Sequence, residues 1–179
     1  MKNLVAVNSR KDIFQQYLNT PIELLLEYQN MGRSPDRFDS PQIIIGTCMD
    51  YRIDLHIPGN FAFIIRTGGA NMRNNEFYLS FALAIGELKH IALIGHNNCA
   101  MADIQSVRDR FITGLTEISG MEQKQAEEHF TDSIATRETG NEVLFILDET
   151  ARLRSLYTKI LIAPLMFILE ENKLYQLEE

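Results

Sequence analysis

The chain has 179 residues, of which 45% are hydrophobic and 23% are charged, and its formal net charge is −7 at pH 7. This length and composition are typical of one globular domain with a sizeable core. The acidic balance argues against a nucleic-acid partner, because phosphate binding needs clustered Lys and Arg and the chain has no basic run.

The sequence also predicts no membrane association. The first residues, MKNLVAVNSRKD, lack the apolar stretch and the cleavage site of a signal peptide. The longest apolar run, 160–169, is interrupted by Pro164 and is far shorter than the roughly 20 residues that a membrane-spanning helix needs. We therefore expect a cytoplasmic location by default. In that reducing compartment the two cysteines, Cys48 and Cys99, would be free thiols or metal ligands.

The N-terminal part of the chain predicts two helical pieces between residues 11 and 30. Thr20 is suited to cap the second piece, with Pro21 in its first turn. The apolar residues of this piece share one face and include Ile22, Leu25 and Leu26. A helical arm of this kind, taken as residues 1–35, packs either on its own core or over a partner subunit.

Strands and helices alternate along the rest of the chain. Short apolar runs predict buried strands, whereas apolar residues at spacings of three and four predict helices. The predicted strands are 42–48, 61–67, 90–95 and 159–169, with a hairpin partner at 174–177. The predicted helices run from about 74 to 89, from about 98 onward, and from 142 to about 157.

The apolar residues of the helix predicted at about 74–89 are assigned to the core on their spacing. They are Phe77, Phe81, Ala84, Ile85 and Leu88. Phe61 and Phe63 of the preceding strand are expected in the core as well.

This alternation predicts an α/β fold. We expect a single domain over residues 1–179, with a mainly parallel central sheet of four strands plus an edge strand and helices on both faces. Ligands of such sheets bind at the carboxyl ends of the strands. Cys48, Arg66 and His96 each lie at such an end.

Two stretches carry the chemistry. In QIIIGTCMDYR, Cys48, Asp50 and Arg52 occupy alternate positions of an extended segment and project to the same side. In HIALIGHNNCAM, an apolar strand and a glycine are followed by His96 and Cys99. Two thiolates and an imidazole suit Zn²⁺, and three protein ligands leave a fourth position for water.

A second pair of residues could assist that water. Asp50 could accept a hydrogen bond from it, and Arg52 could hold Asp50 ionised and oriented through a charge-assisted contact. If Arg52 let go, Asp50 could instead become a conditional fourth ligand of the metal and expel the water.

These motifs resemble the β-class carbonic anhydrase family, in particular its short archaeal and bacterial members. The resemblance rests on Cys48-x-Asp50-x-Arg52, on His96-x-x-Cys99, and on the segment GNFAFIIRTGGA at 59–70, which is similar to the family pattern G-[DN]-x-F-x-x-R-N-A-G. It extends from about residue 43 to residue 101.

The resemblance implies a zinc lyase that hydrates CO₂ reversibly to bicarbonate by a metal-bound hydroxide. It implies that Cys48, His96 and Cys99 hold Zn²⁺ and that Asp50 and Arg52 are the catalytic pair. It also implies a homodimer or higher homo-oligomer, with the N-terminal helices packing across the subunit interface.

The sequence departs from the family pattern at Thr67 and Ala100, where Asn and Gly are usual. We expect Gly68 and Gly69 to line the substrate pocket, and this glycine pair could alter the pocket's shape. Two alternatives therefore stay open: a hydrolase acting on CS₂ or COS, and a zinc-binding pseudoenzyme with a regulatory or scaffold role.

The same residues also have simpler interpretations. Cys48 and Cys99 could be buried apolar residues or could form a redox disulfide. Asp50 and Arg52 could be a structural ion pair, and the glycine pair could be an ordinary turn or a phosphate cradle. The joint placement of the thiols, the imidazole and the ion pair at strand ends favours the metal site.

Overall fold

The computed structural model describes residues 3–179, so residues 1 and 2 of the predicted N-terminal arm lie outside the described part. Six strands are present in this range: β1 (Leu4–Ala6), β2 (Ile43–Cys48), β3 (Ala62–Thr67), β4 (His90–His96), β5 (Leu161–Ile168) and β6 (Lys173–Leu177). The α-helices in this range are α1 (Pro21–Met31), α2 (Glu76–Ile85), α3 (Arg108–Gly114), α4 (Gln123–Arg137) and α5 (Glu142–Leu156). Between residues 3 and 179, no helix is both long and apolar enough to cross a membrane.

The strands form one sheet in the order β1-β6-β5-β4-β2-β3. Strands β3, β2, β4 and β5 are parallel, whereas β6 and β1 are antiparallel additions. The predicted set of four parallel strands with one added strand is therefore confirmed. The expected edge strand, β6, is covered by β1, which the sequence analysis missed because three residues are too short to display a period.

Helices cover both faces of the sheet, as predicted. On one face α1 packs against alternate residues of the central strands, and Ile22, Leu25 and Leu26 are fully buried there. Thr20 caps α1 by accepting a hydrogen bond from the backbone N–H of Ile22. Because α1 packs on the sheet of its own chain, its extension over a partner subunit stays a prediction.

On the other face α2 and α5 pack against the remaining residues of the same strands. The assignment of Phe77, Phe81, Ala84 and Ile85 to the core is wrong, because all four are exposed, the three larger ones by 73%, 55% and 71%. Leu88 is buried as expected. The buried stripe of α2 consists instead of Leu79 and Ala82. Since α2 is apolar around most of its circumference, spacing alone could not identify the face that meets the sheet.

Strand β3 adds to this exposed apolar surface. Phe63, predicted to be in the core, is 40% exposed, and its neighbour Ile64 is 44% exposed. Phe61, by contrast, is fully buried as expected. Phe63 projects to the α2 side of the sheet and Ile64 to the opposite side, because their strand partners Ile44 and Ile45 belong to the two opposite clusters. We call the surface formed by Phe63, Phe77, Phe81 and Ile85 the β3–α2 face.

Candidate metal centre

The three predicted metal ligands meet at one edge of the sheet. Strands β2 and β4 are adjacent and parallel, so their carboxyl ends place Cys48 beside His96, and a short loop returns Cys99 to both. The three side chains are buried and their ligand atoms lie within 4.8 Å of one another. The sulfur atoms are 3.9 Å apart. A tetrahedral zinc site with Zn–S bonds of about 2.3 Å would separate them by about 3.8 Å, so the spacing fits a shared ion.

The hydrogen bonds of His96 fix which ring nitrogen is available. Nδ1 lies 2.9 Å from the carbonyl oxygen of Asn97, and since a carbonyl only accepts, Nδ1 carries the proton. Nε2 is buried and has no hydrogen-bond partner among residues 3–179. With Nδ1 anchored on that carbonyl, Nε2 is the ring nitrogen that faces the two thiols and would bind a metal, so the donor set fits Zn²⁺.

The two thiols are prepared for metal binding. Their mutual hydrogen bond lowers the pKa of Cys48 and raises that of Cys99. The backbone N–H of Gly69 also donates to Cys48 Sγ over 3.3 Å. The contact therefore favours ionisation of one thiol before the other, and a metal ion would displace the proton that the second thiol retains.

Asp50 and Arg52 form a bidentate pair beside the cluster. Arg52 donates from Nε to Oδ1 over 2.9 Å and from Nη2 to Oδ2 over 2.6 Å. These hydrogen bonds lower the pKa of Asp50 to about 2. Oδ2 of Asp50 also lies 3.8 Å from Nε2 of His96. The pair is intact in this arrangement, and the role of Asp50 as a conditional fourth ligand stays a prediction.

The predicted pocket residues form a one-turn 3₁₀ segment, Gly68–Ala70, after β3. Gly69 has a φ of +62°, and a Cβ atom there would lie 2.7 Å from Cγ2 of Thr139. Only glycine fits this position without strain, and it is in this conformation that its N–H donates to Cys48 Sγ. Gly68 forms part of the wall of a cavity of about 390 Å³ next to the cluster.

Two residues support the ligands from distant parts of the chain. Glu142, the first residue of α5, accepts a hydrogen bond from the backbone N–H of Cys99 over 3.3 Å. Arg66 donates to the carbonyl oxygen of Cys48 over 3.0 Å. No local sequence pattern predicts either contact, since Arg66 is 18 positions from Cys48 and Glu142 is 43 positions from Cys99.

Glu170 supports the loop between His96 and Cys99. Its two carboxylate oxygens accept hydrogen bonds from the side chains of Asn97 and Asn98, over 2.7 and 3.0 Å. These contacts lower the pKa of Glu170. The hairpin that joins β5 and β6 therefore holds the ligand loop in place, an interaction that the sequence analysis did not predict.

No protein-family model matches this sequence, and no curated protein matches it either. Solved structures match the whole fold. A β-carbonic anhydrase, isoform I, from Trichomonas vaginalis has a TM-score of 0.62 at 20% identity and covers 92% of this chain and 97% of its own. A carbonic anhydrase from Glaciozyma antarctica has a TM-score of 0.61 at 19% identity, with 92% and 99% covered.

A third match is the apo form of a carbon disulfide hydrolase, with a TM-score of 0.57, 18% identity, and 93% and 92% of the two chains covered. At these identities the matches define the fold, and this chain has the β-carbonic anhydrase fold. The resemblance read from the sequence is confirmed at that level. The roles of the individual site residues stay predictions.

Proposed function

We propose that this chain is a zinc enzyme that hydrates CO₂ reversibly to bicarbonate. The observation that carries this proposal is the buried cluster of Cys48, His96 and Cys99 with the Asp50–Arg52 pair beside it. This donor set favours Zn²⁺ and leaves one coordination position for a non-protein ligand. When bound, zinc supplies an acidified water molecule and a positive charge next to the reacting oxygen.

Asp50 supplies orientation in this proposal. Because the hydrogen bonds from Arg52 lower its pKa to about 2, its carboxylate is ionised at neutral pH and can only accept hydrogen bonds. It would therefore fix the direction of an O–H group at the centre and turn the oxygen's lone pair toward the substrate. Arg52 positions Asp50 and is itself tied to the carbonyl oxygen of Asn98 over 3.0 Å.

Hydrolysis of CS₂ or COS is the second candidate. The match to a carbon disulfide hydrolase is nearly as extensive as the matches to the carbonic anhydrases, and Thr67 and Ala100 depart from the carbonic anhydrase pattern close to the cluster. Because the cluster of Cys48, His96 and Cys99 does not by itself distinguish these substrates, the identity of the substrate has to be measured.

The proposal includes a homodimer or higher homo-oligomer. Strand β3 is at the edge of the sheet, and an exposed edge strand offers unpaired backbone groups to a further strand. Helix α2 contacts β3, so the exposed apolar side chains of the β3–α2 face lie beside that edge, and exposed apolar surface of this kind is typical of a subunit interface. A second copy of the chain on this face would bury Phe77 and Ile85.

The test is a stopped-flow CO₂ hydration assay on purified, zinc-loaded protein, with CS₂ consumption measured in parallel. The proposal expects CO₂ hydration that depends on one zinc ion per chain and on Asp50. Turnover of CS₂ alone would favour the hydrolase. Stoichiometric zinc without turnover of either substrate would favour a pseudoenzyme, and failure to bind zinc would overturn all three.

A further inference from the structure

A cavity of about 390 Å³ lies next to the metal cluster, and its inner wall includes Met49, Gly68 and Met101. Each of these residues is within two positions of a predicted ligand or of Gly69. The volume is that of a pocket for a small organic molecule and is far larger than CO₂ or bicarbonate requires. We propose that this cavity binds an organic carboxylate with a short apolar chain.

The apolar part of the proposed ligand is matched by the walls. Ile104, Phe111, Phe130 and Ile134 line the cavity, and its lining is mainly apolar. Phe111 and Phe130 also contact each other, with their ring centroids 5.3 Å apart. An inorganic anion would leave these side chains uncovered, whereas a short alkyl chain would bury them.

The charged residues that line the cavity favour an anionic ligand. Arg73 and Arg137 line it, and no acidic residue in the described range does, although the chain as a whole has a net charge of −7. Arg137, the last residue of α4, forms no ion pair with any residue that the structure describes.

Arg73 is only weakly neutralised. Its Nε lies 3.5 Å from Oε2 of Glu149, and both oxygens of that carboxylate already accept hydrogen bonds of 2.7 Å from Arg152. Half of the Arg73 side chain stays exposed. A guanidinium group in this state is suited to a planar carboxylate, with which it forms paired, charge-assisted hydrogen bonds.

The first test is calorimetric titration of the zinc-loaded protein with acetate, butyrate and hexanoate, and with hexanamide as the uncharged match of hexanoate. We expect affinity to increase by up to about fourfold for each added methylene group, as apolar burial predicts. Hexanamide should bind about tenfold more weakly than hexanoate, because it lacks the negative charge and the second acceptor oxygen of a carboxylate. Equal affinities along the acid series, or equal binding of amide and acid, would overturn the proposal.

The second test locates the site. Arg137→Gln and Arg73→Gln should each weaken hexanoate binding about tenfold, whereas Arg110→Gln, on α3 and outside the cavity wall, should leave it unchanged. Zinc-free protein should bind hexanoate as tightly as zinc-loaded protein, since none of the three predicted metal ligands lines the cavity. Binding that requires zinc, or that survives both arginine variants, would place the carboxylate elsewhere. These outcomes do not depend on whether the protein hydrates CO₂.

Discussion

Oδ2 of Asp50 lies 3.8 Å from Nε2 of His96, and Arg52 holds both oxygens of the same carboxylate. The acid is therefore next to the nitrogen that would face a metal, but it is engaged by a guanidinium. Because Arg52 is only two residues from Asp50, this arrangement needs little more than the local conformation of the segment after β2.

Replacing Asp50 with Asn should remove turnover while preserving the metal. The amide has the same size but can neither carry the negative charge nor accept at both atoms. We expect zinc content to stay at one ion per chain and kcat to fall by at least about 100-fold. Metal analysis and stopped-flow CO₂ hydration measure the two quantities. Asp54→Asn is the control, since Asp54 is exposed and lies outside the cluster. Full activity of Asp50→Asn would remove Asp50 from the mechanism.

The Asp50–Arg52 pair should also appear in the pH dependence of stability. The pKa of Asp50 is lowered from 3.8 to about 2, so the pair stabilises the fold fully above pH 3.8. That contribution is lost as the pH falls toward 2. Because Arg52 is partly exposed, the pair should contribute about 1 kcal/mol or less to the free energy of unfolding.

Urea unfolding of wild-type and Asp50→Asn protein between pH 5 and about pH 2 measures this contribution. The difference in free energy of unfolding between the two proteins should shrink toward the acid end. A difference that stays constant over this range would mean that Asp50 has an ordinary pKa.

Glu142 should contribute to metal affinity without touching the metal. Glu142 accepts a hydrogen bond from the backbone N–H of Cys99. Loss of a hydrogen bond that orients a metal ligand typically weakens metal affinity by 10- to 100-fold. We expect Glu142→Ala to weaken zinc binding within that range in competition with a chelator. Glu142→Gln, which keeps an acceptor oxygen, should restore most of the affinity. Equal loss in both variants would show that charge, and not the hydrogen bond, is what matters.

Gly69 should be intolerant of a side chain for two separable reasons. Gly69→Ala combines a left-handed φ with a Cβ that would lie 2.7 Å from Thr139, whereas Gly120→Ala has a similar φ of +72° and open space around it. We expect Gly120→Ala to cost about 1 kcal/mol of unfolding free energy and Gly69→Ala more than about 2 kcal/mol. Thermal and urea unfolding measure both. Equal costs would show that the space around Gly69 is not limiting.

A charge on the β3–α2 face should break the proposed homo-oligomer. We expect Phe77→Glu and Phe81→Glu to shift the protein to a monomer in sedimentation-velocity measurements, because a carboxylate would be desolvated in the interface. Ile118→Glu is the control, since Ile118 is 89% exposed and lies outside this face. A monomeric wild-type protein, or a control that dissociates equally, would contradict this assignment.

The predicted boundaries of α5 and β2 agree closely with the structure because local signals mark them. Asn141 caps α5 and accepts from the N–H of Leu144, and the three isoleucines of β2 are fully buried. The inward face of α5 does not follow from such local signals: Ile146 and Leu153 are buried, whereas the apolar Ala151 is exposed. A helix with apolar residues on several sides does not reveal its contacts by spacing.

The sequence by itself determined the alternation of strands and helices and the position of Cys48 and His96 at strand ends. Parallel strands place their carboxyl ends at one edge, so these two residues, 48 positions apart, had to lie along the same edge, and the pairing of β2 with β4 in the tertiary structure then brought them together. Only the tertiary structure decided which side of α2 is buried, that Glu142 and Glu170 hold the ligand loop, and that two arginines share an apolar cavity. Those contacts join segments that are far apart in the chain, and the local spacing of apolar residues carries no information about them.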